Sequence, residues 1–109
     1  MKEVGREEDR LQAMEGEKTE RRSRLTIFSD ILRVMQRNSG SARSTQILYG
    51  ANLSHKRMMQ YLNEMKEKGF IESASAKGKV VYKMTKKGQE FLTEARKVKQ
   101  FTEAFGIDV

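Results

Sequence analysis

One short stretch of the sequence, residues 55–63, is rich in side chains that hydrogen-bond to nucleic acids. It contains His55, Lys56, Arg57, Gln60, Tyr61 and Asn63. Arginine can form two parallel hydrogen bonds with guanine, and glutamine can do so with adenine. Lysine and tyrosine suit phosphate oxygens. The set could therefore contact base edges through Arg57 and Gln60, and phosphates through Lys56 and Tyr61. It would also suit an ordinary solvated helix face.

These side chains need a helix that turns one face outward. An apolar face at four- and three-residue spacing is formed by Met58, Leu62 and Met65. Ser54 is the predicted N-cap, because its hydroxyl can accept from an unpaired amide of the first turn. Gly69 can adopt a positive φ and end the helix. The spacing predicts a helix over residues 54–68.

A tight turn must precede this helix if a second one packs against it. Asn52 falls at that corner, and asparagine tolerates the left-handed conformation better than other non-glycine residues. Leu53 would fill the angle between the two helices. Residues 45–65 therefore predict a helix, a turn and a second helix, of the type that enters the DNA major groove.

The charge of the chain favours a polyanionic partner. The net charge is +7, yet residues 1–20 carry −3 and residues 21–109 carry +10. Such an excess attracts nucleic acid or an anionic membrane. No apolar run approaches the ~18 residues of a membrane span, no signal peptide is visible, and there are no cysteines. We therefore expect double-stranded DNA as the partner, no membrane contact, a cytoplasmic, nucleoid-associated location, and a charged, disordered tail over residues 1–20.

Residues 25–35 predict a first helix with an unusually wide apolar face. One stripe contains Leu25, Phe28, Leu32 and Met35, and a second stripe contains Ile27, Ile31 and Val34. Such a width suits either a central core helix or a helix partly covered by a second chain. A loop follows at residues 38–41, and another helix is expected over residues 42–50.

From Phe70 onward the spacing changes from helix to strand. Alternation over residues 80–84 is typical of a half-buried strand, and the glycine-containing segment 76–79 predicts a hairpin turn. Following the helix at 54–68, this hairpin looks like a wing, residues 72–83. Its Lys77 and Lys79 would touch the sugar-phosphate backbone. The alternative is a solvated hairpin whose lysines only promote solubility.

A last helix is expected from Thr85, its N-cap, to about Phe101. Its apolar seam contains Phe91, Ala95, Val98, Thr102 and Phe105. The seam is shorter than a coiled coil needs, and it can pack on the first helix or pair with a second copy. Because one small chain offers little interior for this seam and the stripe at Ile27, we expect a homodimer joined through its terminal helices.

Two stretches carry a resemblance to known proteins: residues 46–54 (QILYGANLS) and residues 84–88 (MTKKG), together with Tyr61. Over residues 24–100 the chain resembles archaeal winged-helix proteins, both small predicted regulators and the ten-kilodalton chromatin-associated proteins of Sulfolobus. The resemblance implies DNA binding through the helix at 54–68 and through the wing.

The order of elements predicts a mainly α fold with a small β-hairpin, a winged helix-turn-helix with an extra C-terminal helix. We divide the chain into the tail 1–20, a winged helix-turn-helix domain 22–85, and a C-terminal helix 86–105 that is a possible dimerisation element. The expected function is transcription regulation. Two alternatives are an architectural chromatin protein with little sequence preference and a winged helix that binds proteins.

Catalysis is not expected. His55 is the only histidine, there is no cysteine to join it in a metal site, and the acids of the domain are scattered. No phosphate-cradling glycine loop or nucleophile motif occurs. We expect no enzyme activity, no metal and no cofactor, and no small-molecule ligand is evident.

Overall fold

The structure, a computed structural model, describes residues 22–107. Its helices are α1 Arg24–Arg37, α2 Ser44–Gly50, α3 His55–Glu67 and α4 Lys86–Ala104. Its strands are β1 Ser41–Ala42, β2 Ile71–Ala76 and β3 Lys79–Met84. The predicted fold class is confirmed: a mainly helical, winged helix-turn-helix arrangement with an extra C-terminal helix. The charged tail predicted for residues 1–20 lies outside the described residues. Within them, no helix is long and apolar enough to cross a membrane.

Helix α1 is the central core helix. The Ser23 hydroxyl caps it by accepting a hydrogen bond from the Thr26 amide at 3.1 Å. The helix contacts α2, β1, β3 and α4, and Ile27, Ile31 and Val34 are all buried within the chain. The second stripe therefore does not support a dimer, and the expectation that a second chain covers it was wrong. Neighbouring elements surround the helix and leave the stripe no surface for a partner.

The turn between α2 and α3 has the predicted chemistry. Asn52 adopts the left-handed conformation with φ of +56°, and Gly69 ends α3 with φ of +80°. Leu53 is buried between the helices. The Ser54 hydroxyl accepts from the Arg57 amide at 3.2 Å. The start and end of α3 are thus determined by residues within or beside the helix.

Replacing Asn52 with valine should destabilise the fold by about 1–3 kcal/mol, because a β-branched residue is strained in the left-handed region. The Asn52 side chain is exposed, so the change removes little packing and the loss reports on the backbone. Denaturant unfolding measures it. Asn52→Gly is the matched control and should retain stability near that of the wild type. Equal stability of Asn52→Val and wild type would contradict the assignment of this turn.

The sheet contains one strand that the sequence pattern did not predict. The strand order is β1-β3-β2, and all neighbours are antiparallel. The hairpin turn lies at Lys77 and Gly78, both with positive φ, which is typical of a two-residue hairpin loop. Ser41 and Ala42 pair with Lys83 and Tyr82 of β3. Consequently α2 starts at Ser44, and the expectation that Ala42 begins this helix was wrong.

Close contacts with the end of α3 fix the start of α4. The Thr85 hydroxyl donates to the Gly69 carbonyl at 2.6 Å and accepts from the Gly88 amide at 3.0 Å. A Cβ atom on Gly88 would lie 2.1 Å from the Phe70 carbonyl oxygen, so this position requires glycine. The Thr-Lys-Lys-Gly stretch therefore ties α4 to the chain that leaves α3.

The seam of α4 is divided between core and solvent. Leu92 and Ala95 are buried, and the Arg96 guanidinium donates to the Gln36 side chain on α1 at 3.0 Å. Farther along, Phe101 and Phe105 are 60% and 68% exposed. The helix also extends to Ala104 rather than to about Phe101. Its first half therefore belongs to the core, whereas its second half presents an apolar stripe to solvent.

Candidate nucleic-acid interface

Helix α3 has one buried face and one polar face. Met58, Leu62 and Met65 are at most 1% exposed and anchor the helix in the core. The opposite face carries exposed polar side chains, as predicted: His55, Lys56, Arg57, Gln60 and Asn63. Because all five project from one rigid helix, they form a single surface that can enter a groove as a unit. Their contacts with DNA stay predictions.

Tyr61 sits at the border of this surface. It is half-buried, and its ring packs edge-on against Phe28 of α1, with ring centroids 6.0 Å apart. Phe28 also contacts Phe70 and Phe91. Aromatic packing therefore holds the Tyr61 ring in place.

Glu64 of α3 is paired within the protein. Its carboxylate forms an ion pair with Arg24 and lies 3.9 Å from the Lys68 ammonium group. The side chain is only 27% exposed. These contacts offset the negative charge of Glu64 and reduce its repulsion of a polyanion.

Arg22 is a positioning residue that sequence reasoning missed. Its guanidinium donates to the Ala51 carbonyl at 2.8 Å and the Asn52 carbonyl at 3.0 Å. It also forms an ion pair with Asp30 at 2.8 Å. The segment before α1 is thereby tied to the turn that precedes α3. No local sequence pattern reveals this contact, because Arg22 lies 29 residues from Ala51 and 30 residues from Asn52 along the chain.

The hairpin carries a second, separate polar surface. Lys77 and Lys79 are exposed at its tip, and Ser73 and Ser75 are exposed on β2. The two lysines line a common groove, which none of the α3 site residues lines. The predicted site residues therefore form two patches, one on α3 and one at the hairpin tip. The chain connects them directly, since β2 follows α3 and contacts it.

The chemistry of both patches is that of hydrogen-bond donors and cations. Across residues 22–107, no three His, Cys, Asp or Glu side chains come together as a group that could hold a metal ion. Arg57, Gln60 and Asn63 offer the planar donor groups that pair with base edges. Lys56, Lys77 and Lys79 offer point charges suited to phosphates.

The chain is similar to known DNA-binding proteins in fold. A family model described as winged helix-turn-helix matches residues 21–103. Among solved structures, the DNA-binding protein Sso10a-2 from Sulfolobus solfataricus superposes with a TM-score of 0.70 at 23% identity, covering 77% of this chain and 85% of that one. A MarR family transcription regulator superposes with a TM-score of 0.59 at 19% identity, covering 88% and 71%. A search of curated proteins found no match.

At these identities the structural likeness establishes a shared fold. The family model carries the assignment further, because its match extends from before α1 to the last turn of α4. It thus includes the helix pair, the hairpin and the C-terminal helix. The chain belongs to the winged helix-turn-helix family.

Proposed function

We propose that this protein binds double-stranded DNA as a transcription regulator, with α3 in the major groove and the β2–β3 hairpin on the sugar-phosphate backbone. The polar face of α3 carries the proposal. Its start is held by the left-handed Asn52, the Ser54 cap and the Arg22 bonds. The +10 charge of residues 21–109 supports a polyanionic partner. The protein would be located in the cytoplasm, bound to chromosomal DNA.

The side chains of the two patches divide into base-reading and backbone-binding groups. Arg57 suits guanine, Gln60 suits adenine, and His55 and Asn63 add further base contacts. The groups that suit phosphate oxygens are Lys56, Tyr61, Lys77 and Lys79. A binder without sequence preference would need only lysine and arginine, so the mixed composition of α3 favours sequence-selective reading.

The second candidate function is architectural DNA coating with little sequence preference. It is supported by the structural likeness to Sso10a-2, which is described as a DNA-binding protein rather than as a regulator. Selection of bound sequences from a random duplex pool at near-physiological salt separates the two functions. A strong motif supports a regulator. Binding without a motif supports the architectural role, and absence of binding would favour a protein partner.

Arg57→Ala should relax base preference and weaken binding to a selected site by about 1–3 kcal/mol. Lys79→Ala should instead weaken binding to all duplexes about equally, because a phosphate contact carries no sequence information. Competition between selected and random duplexes measures the difference. Equal losses on both duplexes for both variants would contradict the division of roles between α3 and the hairpin.

We also propose that the protein forms a homodimer through α4. Val98, Phe101 and Phe105 form one exposed stripe at three- and four-residue spacing, and the rings of Phe101 and Phe105 contact each other with centroids 4.9 Å apart. Beside the stripe, α1 and α4 border a groove of about 220 Å³ whose lining includes Leu25 and Ile107. The exposed stripe and the neighbouring groove lie on one surface, which suits a two-fold contact in which both copies use the same surface.

A two-fold dimer has a consequence for the target. Each copy would present one α3, and two such helices bind half-sites centred about 34 Å apart, one turn of duplex. The preferred site should therefore be an inverted repeat. Selection from the random pool would reveal this symmetry directly.

A further inference from the structure

A second groove, on the hairpin side of the molecule, collects cations from separate parts of the chain. Its volume is about 400 Å³, and its charged lining residues are Arg43, Lys77 and Lys79. Ser41 and Gln46 add polar groups to the lining. Within residues 22–107, no acidic residue lines the groove and none of the three cations has a carboxylate partner.

The strand order brings Arg43 to the hairpin. Ser41 pairs with Lys83 and Ala42 with Tyr82, so β1 runs antiparallel to β3 and toward the hairpin tip. Continuing this register places Arg43 opposite Val81, which also lines the groove. Lys79 begins β3, and Lys77 lies in the turn. Arg43 therefore reaches the same groove as the two lysines although more than thirty residues separate it from them along the chain.

We propose that this groove holds the phosphodiester backbone of bound duplex DNA and that Arg43 is a third backbone-binding cation beside Lys77 and Lys79. This inference rests on the proposed function and adds a contact surface formed by β1 and the start of α2. A guanidinium can bind phosphate oxygens with two parallel hydrogen bonds. A groove whose lining, among the described residues, contains three cations and no acid fits a chain of phosphates, whereas neutral base edges would leave the cations without counter-charges.

Arg43 can be changed without disturbing the local fold. Its side chain is exposed, and its backbone amide donates to the Gln46 side chain at 2.9 Å. Gln46 in turn donates to the Asn38 side chain at 3.1 Å. Neither hydrogen bond involves the Arg43 side chain, so both should persist when that side chain is shortened. Lys77 is less suitable for replacement by alanine, because its φ of +54° is strained for most residues.

The test measures affinity for a labelled duplex by fluorescence anisotropy between about 50 and 200 mM salt, a range over which phosphate contacts change affinity steeply. Arg43→Ala should reduce the slope of log K against log salt by about one unit. It should weaken binding near physiological salt about tenfold, since hydrogen bonds between charged groups are worth at least that factor. Arg43→Lys keeps the charge and should keep the slope.

Lys97→Ala is the matched control. It also removes one positive charge, but Lys97 lies on α4, does not line the groove, and pairs with Glu94 at 3.3 Å in an exposed contact of small energetic value. Its affinity and slope should stay near those of the wild type. The assignment of the groove would be overturned if the Arg43→Ala variant bound duplex DNA like the wild type. It would also be overturned if this variant lost no more affinity than Lys97→Ala. Wild-type protein that binds no duplex would instead overturn the proposed function itself.

Discussion

Raising the salt concentration from about 50 to about 200 mM should weaken binding to duplex DNA by roughly 250- to 1,000-fold. Each phosphate that the protein neutralises releases condensed counterions, so log K falls with log salt by about 0.9 per contact. About five contacts, drawn from Lys56, Arg43, the two hairpin lysines and a neighbouring basic residue, correspond to a slope of about −4 to −5 by the same rule. Fluorescence anisotropy on one duplex at several salt concentrations measures it.

The salt effect must be separated from any change in the folded state. Thermal melting of the free protein at the two extremes of salt serves as the control, because the domain must stay folded in both. An affinity that changes less than about fivefold across this range corresponds to about one neutralised phosphate or none. Such a result would show that the basic face does not supply most of the affinity.

Phe101→Glu should convert the proposed dimer into a monomer at micromolar concentration. Phe101 is largely exposed in the single chain, so a carboxylate there costs the monomer little. In the dimer it would be buried without a partner, which costs several kcal/mol and raises the dissociation constant about 100-fold or more. Sedimentation equilibrium should give about twice 12.6 kDa for the wild type and 12.6 kDa for the variant.

Gln100→Glu is the matched control for this charge. Gln100 is exposed on the same helix but outside the apolar stripe, and its replacement changes the net charge by the same amount. This variant should remain a dimer. A wild-type mass of 12.6 kDa at micromolar concentration would contradict the dimer and leave the exposed stripe of α4 to another partner.

The sequence by itself determined the elements whose chemistry is local. The left-handed Asn52, the Ser54 cap, the Gly69 end and the Thr85 cap each involve groups within a few residues of one another. The hairpin turn at Lys77 and Gly78 is local in the same way. The polar face of α3 followed from the spacing of its apolar residues, because a helix with one buried face must expose the opposite one. For these reasons the helix pair, the hairpin and the candidate base-reading residues were predictable.

Contacts between distant segments decided the rest. Strand β1 has two residues, too few for any alternating pattern, and it exists because β3 offers it hydrogen-bond partners. Arg22 supports the turn before α3 through carbonyls 29 and 30 residues away. The α1 stripe of Ile27, Ile31 and Val34 and the seam of α4 are equally periodic. The stripe is nevertheless wholly buried, whereas the seam is buried only in part. Periodicity shows which face of a helix is apolar, whereas only the packing of neighbouring elements decides what covers it.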